Sequence, residues 1–121
     1  MAACGVPMPN QNHALTMLQF AKSLYVDLAE YNKNAKIKFQ IRIGICTGPV
    51  VVGVIGKNKL IYDLWGDIVN TASRMETVCT PGKIRITESV KNSIDYESLS
   101  GAISEVNCEI KGKGMMHTYE L

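Results

Sequence analysis

The first hydrophobic pattern along the chain predicts a long amphipathic helix. Between Asn12, a residue type suited to a helix N-cap, and Tyr31, apolar side chains recur three and four positions apart at Leu18, Ala21, Tyr25 and Leu28. This spacing places them on one face of an α-helix. The polar run Asn32-Lys33-Asn34 favours its end. Ahead of the helix, Met1 to Gly5 have the composition of a strand end that leads into turn residues.

The following segment alternates hydrophobic and polar residues, as a strand with one buried face does. Apolar side chains stand at Phe39, Ile41, Ile43 and Ile45, with Gln40, Arg42, Gly44 and Cys46 between or after them. The alternation predicts a strand over 39–46. Two further β-type runs, 50–55 and 60–65, flank a turn at 56–59 and predict a hairpin.

Helical spacing returns over 67–79, and shorter elements follow it. Ile68, Ala72, Met75 and Cys79 share one stripe, which predicts a buried helix face. We then expect a strand around Ile84 and Ile86, a short helix capped by Thr87 and running to about Ile94, and a strand pair at 104–110 and 115–121. Mixed helices and hairpins predict an α+β fold with an at least partly antiparallel sheet.

Composition limits the classes of protein. The 121 residues are 46% hydrophobic and 20% charged, which suits one domain with a real core and excludes a disordered chain. The net charge of +2 excludes the broad positive field of a general nucleic-acid binder. Apolar runs fall far short of the ~20 residues that span a bilayer, so we expect no direct membrane contact. Four scattered cysteines favour reduced thiols.

Two polar clusters are candidates for chemistry. On a helical wheel Asp67, Asn70 and Arg74 share the face opposite the apolar stripe. They are either a solvated surface or, for the amide and guanidinium, a pair aimed at an anion. The run Lys111-Gly112-Lys113-Gly114 is either a tight turn with solvated lysines or a phosphate contact. The spacing of a Walker-type loop is missing, so a P-loop site is excluded.

Two longer runs, with K-G-K-G in the expected order after them, resemble the signature of class III nucleotidyl cyclase catalytic domains. They are R-I-G-I-C-T-G-P-V-V-V-G-V-I-G from Arg42 and Y-D-L-W-G-D-I-V-N-T-A-S-R-M-E ending at Glu76. The resemblance covers nearly the whole chain. It implies a ferredoxin-like mixed or antiparallel sheet with helices on one face, and a dimer whose active sites lie between two subunits.

The resemblance also implies the reaction and the residues for it. In such enzymes the ribose 3′-hydroxyl of a nucleoside triphosphate attacks its own α-phosphate and expels pyrophosphate, with two Mg²⁺ or Mn²⁺ ions neutralising charge. Asn70 matches the asparagine that orients the ribose, and Arg74 matches the arginine that stabilises charge at the α-phosphate. Lys111 matches the lysine that holds the terminal phosphates. Asp63 matches the purine-selecting position, where Asp is typical of adenylate cyclases, so we expect ATP as substrate.

The departures from the family pattern are as informative as the matches. The family's two metal-binding aspartates and its adenine-reading lysine would lie upstream of Met1, so we expect no metal ligand in this chain. We therefore interpret residues 1–121 as a single domain, the C-terminal two-thirds of an adenylate cyclase catalytic domain on the cytoplasmic side, inactive by itself. The alternatives are a guanylate cyclase, which Asp63 disfavours, and a catalytically silent cyclase-homology subunit that regulates a partner.

Overall fold

The computed structural model describes residues 1–99 and 103–121 and contains both helices and strands. No helix in these two ranges is long and apolar enough to cross a membrane. A 3-10 turn, Tyr96–Leu99, precedes the last two strands. In chain order the elements are α1 (His13–Asn34), β1 (Ile43–Ile45), β2 (Val51–Ile55), β3 (Ile61–Trp65), α2 (Asp67–Val78), β4 (Ile84–Thr87), α3 (Glu88–Asn92), β5 (Ser104–Ile110) and β6 (Gly114–Glu120).

Four of the strands form one mixed sheet in the order β1-β4-β6-β5. β1 runs parallel to β4, while β4 pairs with β6 and β6 with β5 in antiparallel register. β2 and β3 form the predicted hairpin as a separate two-stranded sheet, with Gly53 opposite Asp63. The α+β class and the mixed sheet are therefore confirmed.

The helices cover both faces of the sheet, which corrects the prediction of helices on one face. α1 and α3 share a core with the sheet through Leu18, Ile45, Ile86 and Val90. Gly44 points to the opposite face, since successive strand residues alternate. There α2 packs so closely that a Cβ on Gly44 would lie 2.2 Å from the backbone nitrogen of Glu76. Glycine at this position is what allows α2 to approach the sheet.

β1 is shorter than the predicted strand over 39–46, because other groups satisfy the backbone before it. The Asn32 side chain accepts from the Phe39 backbone N–H at 2.9 Å and donates to its carbonyl at 2.8 Å. The carbonyl of Ile41 accepts from the Gly82 N–H at 2.9 Å. Within the part of the chain that the structure describes, β1 has a neighbouring strand on one side only. Alternation identified the strand, but side-chain bonds and the missing second neighbour set its length.

The ends of several elements also differ from prediction. Residues 1–10 contain no strand, so the expected strand end at Met1 to Gly5 is wrong. α1 continues to Asn34, and its N-cap residue Asn12 makes no side-chain capping bond. Thr87 likewise makes no capping bond to α3, since its hydroxyl lies 2.8 Å from the Ser89 hydroxyl instead. At Thr87 a competing local side-chain bond replaces the cap.

The β2–β3 hairpin exposes apolar side chains on both of its faces. Its exposed apolar side chains are Val51, Val52, Val54, Ile55, Leu60, Ile61 and Tyr62. A two-stranded hairpin is at best marginally stable alone in water. A contiguous apolar surface of this kind is typical of an interaction site.

Candidate active site

α2 presents the two predicted catalytic side chains away from the sheet. Asn70 is exposed and Arg74 half-buried, while Thr71 and Met75 face inward. Thr71 is not part of the predicted apolar stripe. Its hydroxyl donates a hydrogen bond to the Asp67 carbonyl at 2.8 Å, so this inward-facing polar side chain has a partner. In the described part of the chain, the side chains of Asn70 and Arg74 have no hydrogen-bond or ion-pair partner. Both are therefore available to a ligand.

Asp63 lies at the centre of β3 with its carboxylate held in one orientation. It is half-buried, and its Oδ1 accepts a hydrogen bond from the Leu64 backbone N–H at 2.8 Å. Trp65 is on the same face of the strand, with its ring against Gly53 of the neighbouring strand. One carboxylate oxygen is thus fixed by the backbone, and Oδ2 remains to accept from a ligand N–H.

Lys111 lies in the tight turn between β5 and β6 and is exposed to solvent. The Lys113 N–H closes this turn by donating to the Ile110 carbonyl at 2.8 Å. Gly112 and Gly114 have φ of +80° and +74°, the left-handed region that glycine adopts without strain. The turn that sequence reasoning proposed is therefore present, with glycines where its geometry needs them.

One contact joins the two candidate clusters, and sequence reasoning missed it. The Lys113 ammonium forms an ion pair with the Asp67 carboxylate in the first turn of α2. Both residues also influence the pKa of the Cys46 thiol, which burial raises. The turn thus meets α2 beside the end of β1. Lys113 and Asp67 are 46 positions apart in the sequence and meet because β6 lies beside β4, an arrangement that local sequence patterns do not predict.

A groove of about 880 Å³ lies between α1 and α2, alongside β1. Asn70 lines this groove. The other three predicted site residues, all within the described part of the chain, do not line it: Asp63, Arg74 and Lys111. The four predicted site residues therefore do not converge on one pocket of a single chain. His13 also borders the groove, with its Nε2 2.7 Å from the Thr47 hydroxyl and its Nδ1 2.9 Å from the Asn10 carbonyl.

We find no cluster of three or more His, Cys, Asp or Glu side chains that could hold a metal ion in residues 1–99 and 103–121. The residues present do not fit the two metal ions that the family resemblance implies. All four cysteines are free thiols.

Comparison with known proteins identifies the family. The profile of the adenylate and guanylate cyclase catalytic domain matches residues 1–121. The chain is 35% identical over 121 residues to an adenylate cyclase of Mycobacterium tuberculosis and covers 100% of itself and 27% of that protein. It is 38% identical over 122 residues to the guanylate cyclase soluble subunit beta-2 of Rattus norvegicus, covering 100% of itself and 18% of that protein. Both substrate classes therefore occur among its relatives.

Solved structures agree with this assignment. The guanylate cyclase domain of RhGC from Catenaria anguillulae, in complex with GTP, superposes with a TM-score of 0.78 at 36% identity over 96% of this chain and 63% of that one. A dimeric guanylyl cyclase domain of the RhoGC fusion protein from Blastocladiella emersonii gives 0.73 at 32% identity, over 97% and 62%. The chain thus spans about three-fifths of the solved domains and a much smaller share of the curated relatives. The chain belongs to the class III adenylate and guanylate cyclase catalytic domain family.

Proposed function

We propose that this chain is the part of an adenylate cyclase catalytic domain that binds ATP and stabilises the transition state of its conversion to 3′,5′-cyclic AMP and pyrophosphate. The observation that supports this most is on α2. An amide and a guanidinium one helical turn apart, Asn70 and Arg74, face outward without partners in the described chain. Unpaired donors on a rigid helix suit a site that recognises an anion.

The chemistry follows from these donors. The ribose 3′-hydroxyl releases its proton to solvent, its oxygen forms a bond to the α-phosphorus, the bond from that phosphorus to the bridging oxygen breaks, and pyrophosphate leaves. Asn70 would orient the ribose by hydrogen bonding. Arg74 would donate to the oxygens on which negative charge accumulates, and Lys111 would hold the terminal phosphates. Fixed donors at these places lower the barrier because they are arranged before the reaction begins.

A second subunit would complete the site. Asp63, Arg74 and Lys111 lie outside the groove that Asn70 borders, so one chain does not surround the nucleotide. The exposed apolar hairpin β2–β3 supplies a surface for association. One solved relative is a non-canonical dimeric guanylyl cyclase domain. We infer that two cyclase subunits, identical or different, form the complete site between them, on the cytoplasmic side of any membrane that a longer protein spans.

The metal ions would need ligands from outside the described residues, since these contain no suitable cluster. We therefore assign no step of the reaction through a metal to this chain. This chain would contribute the purine contact of Asp63 and the ribose contact of Asn70. It would also contribute the positive charges of Arg74 and Lys111.

Mixing the chain with a partner cyclase subunit tests the proposal. The partner keeps its metal-binding aspartates and lacks its own transition-state arginine, and the assay measures cyclic nucleotide from ATP and from GTP with manganese. Cyclic AMP is the expected product. Association of the two chains without either product would overturn the catalytic proposal and favour a regulatory cyclase homologue.

Asp63 is expected to set the preference for ATP. Its free carboxylate oxygen would accept from the exocyclic amine of adenine and would repel the guanine carbonyl at the same place. Hydrogen bonds to a charged group contribute ~1.5–3 kcal/mol, so Asp63→Ala should lower the ATP to GTP ratio of kcat/KM about tenfold or more.

The matched control is Asp27→Ala, which removes an exposed carboxylate from α1. Both variants are assayed in the mixed complex with each nucleotide. An unchanged ratio in Asp63→Ala, or a preference for GTP in the unmodified chain, would refute the assignment.

A further inference from the structure

An ion pair connects the turn that carries Lys111 to the helix that carries Asn70 and Arg74. Lys113 extends from the β5–β6 turn to Asp67, in the first turn of α2. The Lys113 side chain retains only 25% of its exposure, whereas the Asp67 side chain retains 71%. The lysine is therefore largely enclosed where the two elements meet, and its charge is neutralised there.

The base of the turn is fixed, and its tip is not. Ile110 is almost fully buried at 1% exposure, and its carbonyl accepts from the Lys113 N–H. A Cβ on Gly112 or Gly114 would meet nothing within 4 Å, so no packing holds the tip. The ion pair is the side-chain contact that ties this tip to another element within the described residues.

Stability alone is a poor explanation for this pair. Ion pairs with an exposed partner contribute little to folding, since solvent screens them and ordering the side chains costs entropy. The pair does join the turn that carries Lys111 to α2. It also neutralises Asp67, whose free carboxylate would otherwise repel phosphates beside the two donors of that helix.

We propose that Lys113 and Asp67 are positioning residues, which pin the β5–β6 turn to α2 so that Lys111 reaches the terminal phosphates of a nucleotide bound by Asn70 and Arg74. This inference rests on the proposed function, because it assigns Lys113 a role through Lys111. In this arrangement Lys111 contacts the substrate, and Lys113 acts only through Lys111.

A double-mutant cycle tests whether Lys113 acts through Lys111. In the mixed cyclase complex, Lys113→Met should raise KM for ATP about tenfold, and Lys113→Arg should restore most of the loss. In the Lys111→Ala background, Lys113→Met should change kcat/KM no further. The control is Lys33→Met, which breaks the exposed pair of Lys33 with Glu30 on α1.

The other outcomes would each overturn the proposal. Equal losses in both backgrounds would make Lys113 a direct phosphate contact, and no loss in either would make the pair irrelevant to substrate. If Lys111→Ala alone has no effect, the Lys111 assignment under the proposed function fails, and the positioning role fails with it.

Hydrogen exchange of the chain without a partner subunit tests whether the ion pair of Lys113 with Asp67 holds the turn. This measurement needs no catalytic activity. Asp67→Asn removes the charge while keeping the size of the side chain, so the amides of 110–114 should exchange about tenfold faster. Glu30→Gln is the matched control and should leave them unchanged. Unaltered exchange in Asp67→Asn would show that the pair does not hold the turn, whatever the activity assays give.

Discussion

Replacing Arg74 by alanine should lower the turnover of the mixed cyclase complex by about 100-fold or more, with little change in KM for ATP. The guanidinium has no partner among the described residues, so its removal leaves the folded chain without a broken contact. Its predicted partner is the charge that develops on the α-phosphate oxygens. An interaction made mainly in the transition state affects kcat, whereas one made equally to bound ATP would affect KM.

Arg42→Ala is the matched control for this measurement. Arg42 carries the same group beside the same helix, but its Nη2 lies 2.8 Å from the Glu76 carboxylate and is already paired. The control should retain turnover within a few-fold. Steady-state rates of cyclic AMP formation with saturating ATP decide between the two arginines. Equal turnover of Arg74→Ala and the unmodified chain would remove Arg74 from the catalytic site.

Lys111 and Arg74 illustrate what the sequence could and could not predict about this site. The resemblance to the cyclase signature predicts the role of each residue, and the spacing on α2 correctly predicts that Asn70 and Arg74 face outward. The relation between the two clusters depended on strand order, which brings residue 113 beside residue 67. Local patterns do not encode contacts of that sequence separation.

The fold, like the site, has features that local sequence patterns predict and features that depend on contacts between distant residues. Periodicity identified α1, the hairpin and α2 because each depends on neighbours a few residues away. It overestimated β1, whose length depends on Asn32 and on a single neighbouring strand. The family resemblance implied helices on one face of the sheet, whereas the tight contact at Gly44 shows that α2 lies on the other face. The length of β1 and the position of α2 therefore depend on tertiary contacts.

A buried ion pair beneath α2 had no sequence signal, and it should contribute strongly to stability. Arg85 on β4 donates through Nη2 to the Glu120 carboxylate on β6 at 2.6 Å, with side-chain exposures of 5% and 10%. The Thr80 backbone N–H, just after α2, donates to the same oxygen at 2.8 Å. The pair thus joins two strands to the end of the helix that carries Asn70 and Arg74.

Glu120→Gln should lower the free energy of unfolding by about 3 kcal/mol, because it leaves the Arg85 charge buried without a counter-ion. Replacing both partners by apolar residues, Arg85→Met with Glu120→Leu, should recover most of this loss, since no unpaired charge remains. Denaturant unfolding at pH 7 measures both variants and the unmodified chain. Equal stability of Glu120→Gln and the unmodified chain would show that the pair contributes nothing.

The same pair predicts how stability depends on pH. Burial by itself raises the pKa of Glu120, but the Thr80 N–H and the Arg85 guanidinium outweigh it and hold the pKa below the ordinary value of 4.5. A carboxylate whose pKa is lower in the folded state stabilises the fold fully above its unfolded pKa and progressively less as the pH falls through the folded value. The chain should therefore lose stability below about pH 4.5 more steeply than the Arg85→Met, Glu120→Leu variant. Parallel pH profiles of the two proteins would mean that Glu120 is not the group that titrates.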